Sequence, residues 1–418
     1  MARRATYINR LAQADPAPTI SVDAGDLIGG TGNLFEVKGR YLFETYRKLG
    51  VDAMAVGITD LDQGHDYLKK YAAKYRIPLV SCNLYDAETN ERFVDPYVIK
   101  RVGGKKFLGF EWGGKSVGIF GVFMLIDDVS TMLPKKGDDP ALIIRDARIS
   151  SREVIEELKQ KTDFIICLAN TGWVNATNLA RGVTGIDVMV VGNGANIKPK
   201  PFLVNDIALV MPGDLGKQLG ILELKMNESF RVEEREGRTQ AFEENFADDP
   251  VVAEIVDRYR VELNEVGRTY MPTTSELDRV RFVGAEACAE CHLSEYEQWM
   301  STPHADAITT LIEAEQAYNP ECVKCHVTGY GKFNGFHSYE KTSNMVNVQC
   351  EVCHGSGIDH INYVRGEGLS DAIRTRQKAF TLAATEDRCV ACHNSEHDQD
   401  FFFDTDVKLV DHSRLFEK

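Results

Sequence analysis

No stretch of this 418-residue chain holds the roughly 20 consecutive apolar residues that a bilayer-crossing helix needs, so a membrane-spanning helix is excluded. Positive charge is in short supply. Lys and Arg number 48 against 63 Asp and Glu, a formal charge of −15, which argues against nucleic acid or an anionic membrane surface as partner and favours basic proteins or cations. Cysteine is nearly absent from the first two-thirds: only Cys82 and Cys167 precede residue 288, too few for a disulfide framework. Both lie in apolar runs, Ile77–Cys82 and Phe164–Leu168, and read as buried, inert thiols, with a bridge between them as the alternative. No internal repeat marks this part. An apolar core is not lacking, because the hydrophobic content of 43% is that of a folded globular chain and rules out wholesale disorder.

The remaining eight cysteines are placed with regularity. They form four copies of Cys-x-x-Cys-His: Cys288-Ala-Glu-Cys291-His292, Cys322-Val-Lys-Cys325-His326, Cys350-Glu-Val-Cys353-His354 and Cys389-Val-Ala-Cys392-His393. This is the attachment signal of c-type haem. Two cysteine sulfurs must add to the two vinyl groups of one porphyrin while the adjacent histidine reaches the iron, so three functions sit on one turn of chain. A Cys-x-x-Cys pair can also hold zinc or close a disulfide, but neither needs a histidine directly after every second cysteine. Four covalently bound haem c groups are therefore expected.

Length and this uneven cysteine distribution predict two domains with a linker: residues 1–235, a charged linker and connector helix over 236–280, and a haem domain over 281–418. In the last segment each haem has roughly 35 residues, so the protein there is a thin, mostly helical wrapper whose core is largely porphyrin. Rings packed that closely make a path for single electrons. The second axial ligand separates a relay from a catalyst, since an iron with six ligands only passes electrons whereas an open position binds substrate. Beyond His292, His326, His354 and His393, the candidates are His304, His337, His360, His397 and His412. Only Met300 and Met345 offer thioethers, so bis-histidine ligation is favoured. His360 stands six residues after His354, about 9 Å of helical rise, and must serve a different iron.

In the first 235 residues short apolar strands alternate with helical patterns. Strands are expected at Pro18–Asp23, Ala53–Gly57, Ile77–Cys82, Ser116–Phe123, Asp163–Ala169 and Asp187–Gly192. Helices are expected at Phe35–Leu49, His65–Tyr75 and Ser151–Lys161, and a hairpin at Tyr97–Trp112. This is a layered α/β pattern, giving the whole chain a mixed α+β class. In the linker, Asp248-Asp-Pro250 opens a helical pattern over Val251–Val266, with Thr269–Asp278 as the hinge.

The segments Ala2-Arg-Arg-Ala-Thr-Tyr-Ile-Asn, Asp23-Ala-Gly-Asp26, Leu49–Gly57, Val80–Tyr85, Ile186–Gly192 and Pro212–Gly220 resemble, in that order, the metallophosphoesterase domain of 5′-nucleotidases. The resemblance implies a two-metal site that activates water against a phosphoryl group. Its ligands do not match. Asp26 takes the place of the metal-bridging aspartate, but the family's Gly-Asn-His-Glu-Phe-Asp reads Gly57-Ile58-Thr59-Asp60-Leu61-Asp62. The family's next histidine is Asn170, the later glycine-histidine pattern reads Gly192-Asn193-Gly194-Ala195-Asn196, and the early Asp-x-His is not found ahead of Ala2. Amide oxygens are weak ligands for transition metals. The domain is thus expected to be a catalytically silent scaffold, with Asp26 a turn or capping residue.

Residues 280–415 in turn resemble the multihaem cytochrome c family that includes the tetrahaem partner of hydroxylamine oxidoreductase. The resemblance is carried by Cys288–His292, Trp299-Met-Ser-Thr-Pro-His304-Ala, Pro320–Gly329 and Val348–His360. It implies distal roles for His304, His360 and His412. One haem of that family can lack a distal histidine, leaving the fourth iron open, capped by His337 or His397, or capped by a neighbouring subunit.

The leading expectation is an exported, periplasmic or extracellular, tetrahaem cytochrome that relays electrons to redox partners such as other multihaem cytochromes. Haem c is attached outside the cytoplasmic membrane, and Met1–Tyr7 has no apolar core behind its arginines, so the chain start is expected to be trimmed or misplaced. A homo-oligomer or haem filament extends the same reading, since a spare histidine could cap a haem across a subunit boundary. Two alternatives are a haem enzyme acting on small nitrogen compounds at one five-coordinate iron, and a phosphoesterase kept active through Asp26, Asp60 and Asp62.

Overall fold

The computed structural model describes residues 1–14, 17–29, 33–107, 110–112, 114–123, 131–133, 139–194, 196–213, 216, 218–227, 230–242, 246–269, 280–366, 384–394, 398 and 400–412. The chain divides into two compact units, Met1–Tyr259 and Arg260–Lys418. Among the described residues no helix is long and apolar enough to cross a membrane.

The first unit begins with α1 (Ala2–Ala14), β1 (Val22–Asp23), α2 (Asn33–Leu49), β2 (Ala53–Ala55), α3 (His65–Tyr75), β3 (Leu79–Val80) and β4 (Leu84–Asp86). It continues with β5 (Tyr97–Val102), β6 (Lys105–Phe107), β7 (Phe110–Trp112), β8 (Lys115–Phe123), β9 (Thr131–Leu133), β10 (Leu142–Ile144), α4 (Ala147–Leu158) and β11 (Phe164–Asn170). It closes with α5 (Gly172–Gly182), β12 (Val188–Gly192), β13 (Lys198–Val204), β14 (Ile207–Met211), β15 (Gln218–Met226), β16 (Val232–Ala241) and the start of α6 (Pro250–Thr269). The central sheet runs β13-β14-β12-β11-β8-β5, with parallel pairing from β14 to β8 and an antiparallel strand at each edge. Period-two alternation sorts its side chains to two faces. Ile165, Cys167 and Ala169 of β11 meet Val154, Ile155 and Leu158 of α4 and Leu179 of α5, whereas Phe164, Ile166 and Leu168 face Ala53, Ala55 and Val80 of the parallel sheet β1-β2-β3. The far side of that smaller sheet is covered by Phe43 and Tyr46 of α2 and Leu68 and Tyr71 of α3. The result is four layers, helix–sheet–sheet–helix. Gly121 lets the sheets approach, since a Cβ there would collide with the Val80 carbonyl.

Local chemistry sets the element ends. Asp146 caps α4 by accepting a hydrogen bond from Ile149 N at 2.8 Å, and α3 ends on Arg76 in the left-handed region. The expected hairpin at Tyr97–Trp112 is corrected: β5 pairs antiparallel with β8, and only β6 and β7 pair with each other. The period-two pattern of Tyr97–Val102 fixes a strand but not its partner. Cys82 and Cys167 are free thiols within one apolar cluster, and burial pushes Cys82 up to about 12 and Cys167 well above the usual thiol range.

The second unit is built from short helices: α7 (Ala285–Ala289), α8 (Leu293–Met300), α9 (Ala307–Glu313), α10 (Pro320–His326), α11 (Tyr339–Thr342), α12 (Cys350–His354) and α13 (Ile358–Val364), with further turns at Glu386–Cys389 and Phe403–Asp406. Proline at the first position and an Asn319 side chain accepting from Glu321 N start α10. The side-chain core is small among the described residues: Ile308, Leu311, Val323, Val327, Phe336 and Met345.

Candidate functional site

Buried polar side chains fix the Cys-x-x-Cys-His turns of the second unit. Glu351, inside the third motif, is buried; its Oε2 accepts from Val283 N (2.8 Å) and Gly284 N (2.9 Å), and its Oε1 from Gly357 N (2.7 Å). Gln349 accepts from Ala285 N at 2.6 Å and donates to the Asn344 and Val346 carbonyls. These bonds hold the third motif against the start of the first. The Arg388 guanidinium donates to the Cys353 carbonyl and ties the fourth motif to the third. Within the first and fourth motifs the histidine N–H donates to the carbonyl of the first cysteine, His292 to Cys288 at 2.9 Å and His393 to Cys389 at 2.8 Å, which folds both sulfurs and the imidazole onto one turn.

The thiols of different motifs meet. Cys288 and Cys350 hydrogen-bond each other, which drives Cys288 up and Cys350 down, and Cys392 is driven up by its bond to Cys325. Burial raises Cys353, with the neighbouring Cys389 adding to it. The first and third, third and fourth, and fourth and second motifs are thus neighbours through their thiols.

Three of the four motif histidines face a second histidine. Ring centres lie 6.3 Å apart for His292 and His360, 6.0 Å for His304 and His393, and 5.6 Å for His354 and His412. An iron between two imidazoles, at about 2 Å from each nitrogen, sets ring centres on the order of 6 Å apart. The donor set and its spacing thus fit haem iron. His304 and His412 are both held below the usual imidazole range by burial, helped by His393 and His354 respectively, which keeps their rings in the neutral form a metal requires.

His326 faces no histidine ring among the described residues. Its Nδ1 lies 2.6 Å from the Ala307 carbonyl and 3.3 Å from Thr310 Oγ1. A carbonyl can only accept, so Nδ1 carries the proton and Nε2 keeps its lone pair for a metal. His337 is not brought to any motif histidine: its Nε2 lies 3.2 Å from the Phe333 carbonyl and its buried Nδ1 has no hydrogen-bond partner. His397 lies outside the described residues. Sequence reasoning did not single out Asp398, whose carboxylate is 2.8 Å from His393 Nδ1; a carboxylate five residues after a motif histidine is the only signal for it.

In the first unit the degenerate phosphoesterase positions are engaged with one another. Asp26, in the left-handed region at φ 62°, accepts from Thr59 N and Thr59 Oγ1, both at 2.9 Å, and from Asn170 Nδ2 at 2.7 Å. It thereby holds the first residue of the 3₁₀ turn Thr59–Leu61, whose N-cap Ile58 makes no side-chain cap. Asp60 is fully buried and accepts from Asp26 N, Ile28 N and Gly57 N at 2.8–2.9 Å; burial pushes it up to about 8 against the pull of those donors. Among the described residues no group of three His, Cys, Asp or Glu side chains is arranged to hold a metal ion.

Comparison with known proteins matches both units. The family described as cytochrome c554 and c-prime covers residues 287–355, and cytochrome c-554 of Nitrosomonas europaea is 29% identical over 134 residues, 27% of this chain and 57% of that protein. The snake venom 5′-nucleotidase of Naja atra is 26% identical over 318 residues, 68% of this chain and 56% of that protein. The chain spans about half the length of the curated 5′-nucleotidases it matches. Among solved structures, a calcineurin-like phosphoesterase from Bacillus subtilis superposes with a TM-score of 0.53 at 23% identity over 64% of this chain and 90% of its own. The 5′-nucleotidase precursor of Thermus thermophilus gives 0.53 at 21% identity over 68% and 57%. A phosphoesterase-like domain of the calcineurin-like fold and a segment like cytochrome c554, a family that carries covalently bound c-type haem, are thus fused in one chain.

Proposed function

We propose that this chain is an exported tetrahaem c-type cytochrome that relays electrons, and that its phosphoesterase-like domain is catalytically silent and serves docking or assembly. The observation that carries this reading is the set of three histidine pairs at 5.6–6.3 Å. Cys288 and Cys291, Cys322 and Cys325, Cys350 and Cys353, and Cys389 and Cys392 would hold the four haems, with His292, His326, His354 and His393 as proximal ligands and His360, His412 and His304 as distal ones. Haem, when bound, supplies the one-electron couple of its iron. Partners would be other redox proteins, multihaem cytochromes among them, met in the periplasm or outside the cell; a homo-oligomer or filament would extend the relay.

The test is a count. The native protein should carry the mass of four haems and show three low-spin irons to one high-spin iron by electron paramagnetic resonance; a mass equal to the bare polypeptide overturns the reading. A second reading, catalysis on small nitrogen compounds at one haem, is favoured by His326 lacking a histidine partner among the described residues. Turnover of a small nitrogen compound at that iron would support it, and purely low-spin spectra would remove it. For the first unit, the engaged carboxylates of Asp26 and Asp60 support silence. Purified protein should contain no stoichiometric manganese or zinc and should not hydrolyse nucleotides; metal at one equivalent or more with turnover would overturn this.

A further inference from the structure

We propose that Asp398 is a positioning residue that lowers the redox potential of the haem on the fourth motif. This inference rests on the electron-relay reading above. His393 Nδ1 and Asp398 Oδ2 are 2.8 Å apart. An ionised carboxylate has no proton to give, so Nδ1–H is the donor and Nε2 is left with the lone pair that binds iron. The arrangement is built, not incidental. Asp398 N donates to the Asn394 carbonyl at 2.7 Å, which returns the aspartate to the turn just after the motif, and Phe401 stacks on the His393 ring at 4.8 Å and 21°, fixing the plane of the imidazole.

A charge-assisted bond of this kind draws the Nδ1 proton toward the carboxylate and gives the ring anionic character, which makes Nε2 a stronger donor. Ferric iron, with one more positive charge, gains more from such a ligand than ferrous iron, so the oxidised form is favoured and the potential falls. His326 and His292 are held differently. His326 donates to the neutral Ala307 carbonyl, and Glu295 stands 3.6 Å from His292 Nδ1, beyond hydrogen-bond length.

The experiment is a spectropotentiometric titration of the holoprotein and of Asp398→Asn and Asp398→Glu. In Asp398→Asn one of four midpoint potentials should rise by about a tenfold change in its oxidation equilibrium, about 59 mV for one electron, with haem mass and low-spin count unchanged. Asp398→Glu keeps the charge and should stay within about threefold of the wild type. Unmoved potentials in a variant that retains four haems and its spin count overturn the inference and leave the relay reading standing. Should Asp398→Asn not retain haem, the wild-type spectrum decides: one low-spin haem with a g-anisotropy reduced by an anionic ligand supports the inference, and its absence overturns it.

Discussion

Replacing His304 by alanine is expected to convert one low-spin haem to high-spin, taking the ratio from three-to-one to two-to-two, and to create a second cyanide-binding iron. The ring of His304 lies 6.0 Å from that of His393, the separation an intervening iron requires. Its backbone is fixed independently of the imidazole: Val348 N donates to the His304 carbonyl at 3.0 Å, and Trp299 Nε1 donates to the Val348 carbonyl at 2.8 Å. His304 is not among the core residues Ile308, Leu311, Val323, Val327, Phe336 and Met345, so truncation should remove a ligand and leave the fold. Haem mass should not change, because Cys389 and Cys392 retain the thioether bonds. Methionine at position 304 should restore a sixth ligand and low spin at a raised potential, since a thioether stabilises ferrous iron. An alanine variant with unchanged spin count and no new cyanide binding would show that His304 is not a ligand.

What could be read from the chain and what could not divides along contiguity. The four Cys-x-x-Cys-His motifs are legible because one porphyrin demands its three attachment groups within one turn of chain. The pairing of His304 with His393, or of His412 with His354, is not, because partners so far apart in sequence are brought together by tertiary packing alone. The same holds for the first unit. The continuous apolar run in Asp163–Ala169 marks a strand, found as Phe164–Asn170 and buried on both faces, and His65–Tyr75 forms the expected helix, while α1 and α5 went unread. In α5, Trp173 and Val174 interrupt the polar face and obscure a helical stripe that buries only Ala176, Thr177, Leu179 and Ala180. Asp26 is expected as a turn or capping residue; it takes the left-handed conformation of a turn and accepts from Thr59 N across the fold, while the 3₁₀ turn Thr59–Leu61 has no side-chain cap. The role of Asp60 was not, because its three backbone donors come from Asp26, Ile28 and Gly57, two segments joined only in the fold.

Haem removal should unfold the second unit and spare the first, the largest effect expected for any single change. Unit one carries three apolar clusters on and between its six-stranded and parallel three-stranded sheets, with Phe43, Phe120, Phe123, Leu68 and Leu158 fully buried. Each such side chain contributes about 1.5–3 kcal/mol on burial. Among its described residues unit two has one small cluster around Val323 and Phe336, and Leu293, Met300, Ile312, Phe402 and Leu409 are each more than half exposed on the polypeptide. Its described helices after α6 run from four to eight residues, too short to be stable on propensity alone. Four covalently bound porphyrin faces are the apolar surface that would cover such side chains and hold such turns together. A full-length chain in which all eight motif cysteines are alanine should therefore melt in one transition belonging to unit one. Limited proteolysis of it should leave a resistant fragment spanning residues 1–259 and none covering 285–412. Protection of that second segment in the haem-free chain would mean that its side chains suffice for its fold, and that porphyrin is cargo and not core.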